Sequence, residues 1–87
     1  MSKITFADDG WKEYLYWQEQ DKKTLKKINR LLKSIERDGA MSGEGKPERL
    51  KHEDAYSRHI DETNRLVYMI ADDDKITVKS CKGHYED

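Results

Sequence analysis

The C-terminal half of the chain is rich in side chains that can move protons or bind phosphate. The set comprises Glu48, Arg49, Lys51, His52, Arg58, His59, Arg65, Lys82, His84 and Tyr85. Such a set suits the cleavage of RNA by its own 2′-hydroxyl, which needs a base, an acid for the leaving 5′-oxygen, and cations for the phosphorane. DNA lacks the 2′-OH and cannot react in this way. No residue spacing fits a metal site or a nucleophile elbow, so no metal and no cofactor are predicted.

The residue types alone leave the acid and the base open. Histidine titrates near neutrality, so a pair drawn from His52, His59 and His84 is one candidate, and a Glu–His pair is another. The single cysteine, Cys81, follows a β pattern and is predicted to be a buried thiol rather than a nucleophile. One cysteine cannot form an internal disulfide, which fits a reducing compartment.

Length and charge limit the class of protein. A chain of 87 residues is predicted to form one domain, residues 1–87. It has no apolar run near the roughly 18 residues of a membrane span and no signal-peptide pattern, so a cytoplasmic protein with no membrane partner is expected. The net charge is −1, yet residues 22–37 hold seven basic side chains and one acidic, a net of +6. An anionic partner, RNA or an acidic protein segment, is compatible with that local field.

Two helices are predicted in the N-terminal half, after a short strand at Ile4 and Phe6. Asp8 or Asp9 is the predicted N-cap of the first helix, which holds four of the eight aromatic residues, interpreted as core and a packing face. Asp21 is predicted to cap the second helix, and Gly39 to follow its end at a positive φ. The second helix has a clear apolar stripe: Leu25, Ile28, Leu31, Leu32 and Ile35.

The rest of the chain reads as a glycine-rich loop and antiparallel strands. The loop covers residues 39–47, and it lacks the spacing of a phosphate-binding P-loop. Strands are predicted at 48–51, 56–61, 65–70 and 75–81, with turns at 62–64 and 72–74. The strand 65–70 has apolar residues on both faces and is predicted to be central. The expected fold is α+β, a small antiparallel sheet with two N-terminal helices packed on it.

Six segments together carry a family resemblance. They are YLYWQ at 14–18, DKKTLKKIN at 21–29, GKPERLKH at 45–52, YSRHI at 56–60, NRLVY at 64–68 and CKGHY at 81–85. In order and spacing, over essentially the whole chain, they resemble the YoeB branch of the RelE/ParE superfamily, the toxins of bacterial type II toxin–antitoxin pairs. The combination of K-P-E-x-L-K-H, R-L-V-Y and a terminal H-Y is specific, whereas each motif alone is weak.

The resemblance implies a microbial-ribonuclease-like fold and cleavage of mRNA in the ribosomal A site, which inhibits translation. It implies a YefM-type antitoxin as partner, the ribosome and mRNA as targets, and operator DNA bound only through the antitoxin complex. YoeB-type toxins are often homodimers. The alternative from another class is an inactive relative that only binds its antitoxin and regulates the operon.

Residue roles also follow from the resemblance. Glu48 of K-P-E resembles the general base, Arg65 of N-R-L-V-Y the cation that stabilises the phosphorane, and His84 the general acid. Tyr85 resembles the residue that orients or stacks the substrate. Phosphate contacts are expected for a second group: Lys51, His52 and Arg58.

Departures from the family pattern lie close to these residues. The family often has a second arginine where this chain has His59, and Tyr56 stands where tryptophan is common. Two acids, Glu86 and Asp87, follow Tyr85.

The basic helix contains none of the proposed catalytic groups, so it is interpreted as a ribosomal RNA contact through Lys22, Lys23, Lys26, Lys27 and Arg30.

Overall fold

A computed structural model describes residues 3–84. Its elements in chain order are β1 (Ile4–Phe6), α1 (Asp8–Gln20), α2 (Lys22–Asp38), β2 (Glu48–Arg49), β3 (Tyr56–His59), β4 (Arg65–Ile70) and β5 (Ile76–Ser80). The strands form one five-stranded sheet in the order β1-β5-β4-β3-β2. Both helices pack on the same face of this sheet, which confirms the predicted α+β fold.

The two helices begin for different reasons. A side-chain cap marks the start of α2, whereas a contact with β5 fixes the start of α1. Asp21 caps α2 as predicted, because its carboxylate accepts the backbone N–H groups of Lys23 and Thr24. The predicted aspartate N-cap of α1 is wrong: the N-cap is Ala7, without a side-chain bond, and Asp8 already lies in the first turn. There the negative charge still favours the helix N-terminus. The Ala7 N–H donates to the Val78 carbonyl at 2.9 Å, which ties this end to β5.

The predicted apolar stripe of α2 forms the centre of the core. Ile28, Leu31, Leu32 and Ile35 are buried, and they contact Leu66, Tyr68, Ile76 and Val78 of the sheet, while Leu25 is partly buried. Charged residues on the other side of α2 stay in water, as the helical period requires.

The aromatic residues of α1 divide between core and surface. Trp17 is buried, whereas Trp11 and Tyr16 are 48% and 44% exposed. Gly10 allows α1 to approach β5 closely, because a Cβ there would lie 2.3 Å from the Val78 carbonyl oxygen.

The sheet is mixed rather than purely antiparallel. β2 to β5 pair antiparallel as predicted, but β1 joins the edge parallel to β5, with Ile4 opposite Ile76. β4 is the central strand, as its apolar faces predicted.

No helix within residues 3–84 has the length and apolarity to cross a membrane.

Three strands are shorter than predicted, and one of them is β5, which covers Ile76–Ser80 rather than 75–81. The strand predicted at 48–51 ends at Arg49, because Leu50 turns away and packs with Ala55 and Val67 in a second small core. The strand predicted at 56–61 ends at His59, where the turn to β4 begins. The predicted turns at 62–64 and 72–74 lie outside helices and strands.

Candidate active site

The register of the strands decides which side chains share a face. Residues directly opposite each other in an antiparallel pair point to the same side of the sheet. Glu48 lies opposite Ser57, and His59 lies opposite Arg65. Since alternate residues of a strand share a face, Glu48, Ser57, His59 and Arg65 all lie on the face away from the helices. We call this the open face, and the helix-packed side the covered face.

His59 lies at the centre of the candidate residues on the open face. Its imidazole is close enough to Arg65, Lys46, Glu48 and His84 for their charges to act on it. Burial, followed by the positive charges of Arg65 and Lys46, lowers the pKa of His59, while Glu48 opposes that effect. The structure thus brings together the three residues assigned as base, cation and acid: Glu48, Arg65 and His84.

Arg65 is held by the turn that precedes it. Its Nη1 donates to the carbonyl oxygens of Asp61 at 2.6 Å and Asn64 at 3.1 Å. Asp61 in turn accepts the backbone N–H groups of Thr63 and Asn64 at 2.8 and 2.7 Å. The turn therefore holds Nη1, and within residues 3–84 no hydrogen bond from Nε or Nη2 of Arg65 to a protein acceptor is formed.

The segment that carries His84 is tied to both β4 and α1. The Arg65 N–H donates to the Gly83 carbonyl at 3.0 Å, and the Gly83 N–H donates to Asn64 Oδ1 at 2.8 Å. Two residues earlier, Trp17 Nε1 donates to the Cys81 carbonyl at 2.8 Å, and the Cys81 N–H donates to Glu13 at 2.7 Å. These bonds bring the exposed His84 beside Arg65. The predicted site residue Tyr85 lies outside the described residues.

Glu48 is positioned by the glycine loop, residues 39–47. The Gly45 carbonyl accepts the His59 N–H at 2.7 Å, which joins the end of the loop to β3. Gly45 has φ 94°, and a Cβ there would lie 2.8 Å from Leu31. The side chain of Glu48 is exposed at the start of β2.

The predicted phosphate contact of Arg58 is wrong, because the side chain is buried. It points to the covered face, is 0% exposed and cannot contact a substrate phosphate. Its Nε donates to the Tyr68 hydroxyl at 2.9 Å, and Nη1 donates to Ser34 Oγ at 3.1 Å and to the Glu44 carbonyl at 2.7 Å. Nη2 donates to the Gly39 and Ser42 carbonyls at 2.8 and 2.6 Å. The guanidinium therefore holds the glycine loop against α2 and the sheet.

Lys51 and His52 lie in the turn that follows β2. Both are exposed, and the turn lies over the open face because Leu50 and Ala55 pack on Val67. Lys79 and Glu53 form an ion pair that joins this turn to β5. The phosphate contacts assigned to Lys51 and His52 remain predictions.

The basic residues of α2 lie on the helix layer, away from the open face. Glu44 pairs with Lys27 at 3.1 Å and with Arg30. Those two cations lower the pKa of Glu44 to about 2, so the carboxylate stays ionised. Lys22, Lys23 and Lys26 are exposed. A groove of about 300 Å³ separates the helix from the turn before Arg65, lined by Lys23, Thr24, Lys27, Arg30, Ile60 and Asp61.

Two other chemistries find no support among the described residues. No group of three or more His, Cys, Asp or Glu within residues 3–84 could hold a metal ion. Cys81 is buried, as predicted, and burial raises the pKa of its thiol to about 12, which keeps it protonated and unreactive.

Two residues of the candidate site have no assigned role in the sequence analysis. His59 is there one of three candidate histidines, and Lys46 belongs only to the K-P-E motif. Lys46 lies two residues before Glu48 at the end of the glycine loop and has a positive φ of 52°. The alternation of β3 gave a signal for His59, because a polar residue next to a buried one faces the other side of a strand.

The chain is similar to known toxins over nearly its whole length. A family model described as the YoeB-like toxin of bacterial type II toxin–antitoxin systems matches residues 6–85. Toxin YoeB of Escherichia coli K12 is 45% identical over 95% of this chain and 99% of its own length. Toxin YoeB of Synechocystis is 48% identical over 97% of this chain and 98% of its own.

Solved structures of YoeB toxins have the same fold as this chain. The heterotetrameric YoeB–YefM complex from Staphylococcus aureus contains a chain with a TM-score of 0.89 at 49% identity, over 98% of this chain and 99% of that one. The YoeB dimer from the same organism has a TM-score of 0.90 at 51% identity, over 97% and 98% of the two chains. YafQ from E. coli, with a TM-score of 0.71 at 17% identity, over 97% of this chain and 94% of that one, shares the fold. The predicted resemblance is confirmed, and the chain belongs to the YoeB-like toxin family of bacterial type II toxin–antitoxin systems.

Proposed function

We propose that this protein is a ribosome-dependent endoribonuclease that cleaves mRNA in the A site and so inhibits translation. The observation that carries the proposal is the meeting of Glu48, Arg65 and His84 around His59 on the open face. Membership of the YoeB-like toxin family supports the same reading.

Each residue has a role that its chemistry allows. The Glu48 carboxylate takes the proton of the 2′-hydroxyl, and the 2′-oxygen attacks the adjacent phosphorus. Arg65 offers its remaining N–H groups to the phosphorane oxygens, while the turn holds its Nη1. His84, as the general acid, gives a proton to the leaving 5′-oxygen. The products are a 2′,3′-cyclic phosphate and a 5′-hydroxyl, and no metal takes part. Tyr85 orients or stacks the substrate, while Lys51 and His52 contact its phosphates.

The partners follow from the same family. A relative from S. aureus forms a YoeB–YefM heterotetramer, and another structure from that organism is a YoeB dimer. We infer a YefM-type antitoxin for this chain, a homodimer in its absence, and operator binding only through the antitoxin complex. The site of action is the cytoplasm, where mRNA meets ribosomes.

The test is single-turnover cleavage of mRNA bound to ribosomes. Glu48→Gln and His84→Gln should each slow cleavage by roughly 10²–10⁴, the usual worth of one acid or base. Glu62→Gln, an exposed acid in the turn before β4, is the matched control and should cleave like the parent. A 2′-deoxy nucleotide at the cut site should abolish cleavage.

The alternative is an inactive relative that only binds its antitoxin. It predicts no cleavage by the parent protein and equal antitoxin binding by all variants. Undiminished cleavage by Glu48→Gln or His84→Gln would sink the assigned roles.

A further inference from the structure

His59 occupies the middle of the open face, among Arg65, Lys46, Glu48 and His84. Its backbone is fixed, since its N–H donates to Gly45 at 2.7 Å and the residue pairs with Arg65 in the ladder. The Cβ atoms of such a pair are about 5 Å apart, and a diagonal neighbour such as Glu48 lies roughly 7–8 Å away. Within residues 3–84 neither ring nitrogen is bonded to another protein group, so both are available to a ligand on this face.

Charged groups face this imidazole from every element around it. Lys46 faces it from the glycine loop, Glu48 from β2, Arg65 from β4 and His84 from the C-terminal segment. Two of the four are permanent cations and one is a carboxylate. Burial and these cations lower the pKa of His59 and so favour its neutral ring.

We propose that His59 is a phosphate-binding residue of this site that takes up one proton when RNA binds. The proposal rests on the proposed function for the identity of the ligand. A phosphate placed between Arg65 and Lys46 brings negative charge next to the ring and offsets the two cations that oppose its protonation. The proton comes from solvent, binds a ring nitrogen of His59, and returns to solvent when product leaves.

Linkage fixes the sign of the effect on binding. If RNA binding favours protonated His59, then protonated His59 favours RNA binding by the same factor. Affinity for RNA should thus rise as pH falls through the range in which free His59 is neutral and bound His59 is charged. Below that range both states are protonated, and the contribution of His59 becomes constant.

The experiment uses a 2′-O-methyl oligoribonucleotide, which binds as RNA but cannot be cleaved. NMR of the imidazole protons gives the pKa of His59 in the free protein and in the complex. We expect a rise of about one unit on binding, which equals about a tenfold gain in affinity between neutral and acid pH. An unchanged or lower pKa of His59 in the complex would overturn the proposal.

Two substitutions separate charge from structure. His59→Arg carries a constant charge, so it should bind the oligonucleotide tightly at neutral pH and lose the His59-dependent part of the pH effect. His59→Gln is never charged and should bind weakly throughout, with the same loss. A structural role alone would affect both variants alike. If His59→Gln keeps the full pH dependence of the parent, or the oligonucleotide does not bind at acid pH and low salt, the proposal fails.

This test is independent of the cleavage test. A parent protein that does not cleave mRNA would refute the proposed function, while the titration of His59 would still decide whether the site binds phosphate with proton uptake. Conversely, loss of cleavage in Glu48→Gln together with an unresponsive His59 would refute only the present inference.

Discussion

Arg58 and His59 are neighbours in β3, yet they face opposite sides of the sheet. Successive residues of a strand alternate between the two faces. Arg58 is 0% exposed beneath the glycine loop, and His59 lies half-buried on the open face beside Arg65. Two consecutive residues of β3 therefore have different roles: Arg58 is a structural cation, and His59 is a candidate site residue.

Arg58→Lys should destabilise the protein strongly. Lysine has three donors on a flexible stem and cannot reproduce the planar fork that bonds Tyr68, Ser34 and the loop carbonyls. Buried acceptors left without a donor each carry a desolvation penalty, so we expect a loss of about 2–4 kcal/mol in the free energy of unfolding. Urea denaturation measures this.

The control for Arg58→Lys is Arg49→Lys, because Arg49 is exposed and pairs with Asp54 at the surface. It should change the free energy of unfolding by less than about 1 kcal/mol. Equal unfolding midpoints for the two variants would show that the Arg58 network does not stabilise the fold.

At the scale of elements, the glycine loop connects α2 to β2 and determines where Glu48 lies. Three of its glycines have positive φ: Gly39 at 94°, Gly43 at 102° and Gly45 at 94°. They differ in their surroundings. A Cβ at Gly39 meets nothing within 4 Å, whereas a Cβ at Gly43 would lie 2.2 Å from Ser34 Oγ.

This difference separates backbone strain from steric overlap. Gly39→Ala should cost about 1 kcal/mol of unfolding free energy, the price of a positive φ alone. Gly43→Ala should cost a further 1–3 kcal/mol, roughly the penalty of overpacking, because Ser34 and Asp38 must move. Thermal unfolding of the two variants side by side gives the comparison. Similar losses for both would mean that the loop yields freely around Gly43.

Glu44 links the same loop to α2 and makes its stability depend on pH. Arg30 and then Lys27 lower its pKa from 4.5 to about 2. A carboxyl with a depressed folded-state pKa stabilises the protein above its unfolded value, and this contribution is lost as pH falls through the folded value. The side chain is 34% exposed, so solvent screening limits the effect to about 0.5–1 kcal/mol.

Glu44→Gln should therefore lower the unfolding free energy at about pH 6 and lose that difference as the pH approaches about 2. Denaturant titrations across this range measure the difference. Glu36→Gln removes an exposed acid of α2 and serves as the control. A constant difference between the parent and Glu44→Gln at every pH would contradict the assignment.

At the scale of the whole molecule, positive charge and candidate chemistry lie on different layers. The candidate catalytic groups lie on the open face, and the exposed lysines of α2 lie on the helix layer. The groove beside Asp61 is where the two approach, because Asp61 also accepts a hydrogen bond from Arg65 at 2.6 Å. Under the proposed function, ribosomal RNA contacts the helix layer while mRNA lies on the open face.

Replacing Lys22, Lys23 and Lys26 together with glutamine should weaken ribosome binding. Each lost phosphate contact should reduce the salt dependence of binding by about one unit of log–log slope. Cleavage on saturated ribosomes should stay within about twofold, because uniform binding affects KM rather than kcat. Replacing Lys3, Lys12 and Lys75 removes the same net charge elsewhere and serves as control. Equal losses in both variants would mean that net charge, not the position of α2, controls binding.

The sequence by itself determined the features that depend on local chemistry or periodicity. The stripe from Leu25 to Ile35 identified the buried side of α2, and Asp21 marked its start. Apolar residues on both faces identified β4 as central. The motifs around Glu48, Arg65 and His84 also identified the family, because their order and spacing can be read from the sequence alone.

Tertiary structure alone decided what depends on residues far apart in the chain. The parallel pairing of β1, the cap of α1 at Ala7 and the burial of Arg58 are set by contacts with β5, with Val78 and with the glycine loop. The alternation of side chains along a strand predicts that Arg58 and His59 face opposite sides of the sheet. It does not predict which of the two sides the helices cover. That depends on where α2 and residues 39–47 pack, and this packing buries Arg58 while His59 stays among the candidate residues of the open face.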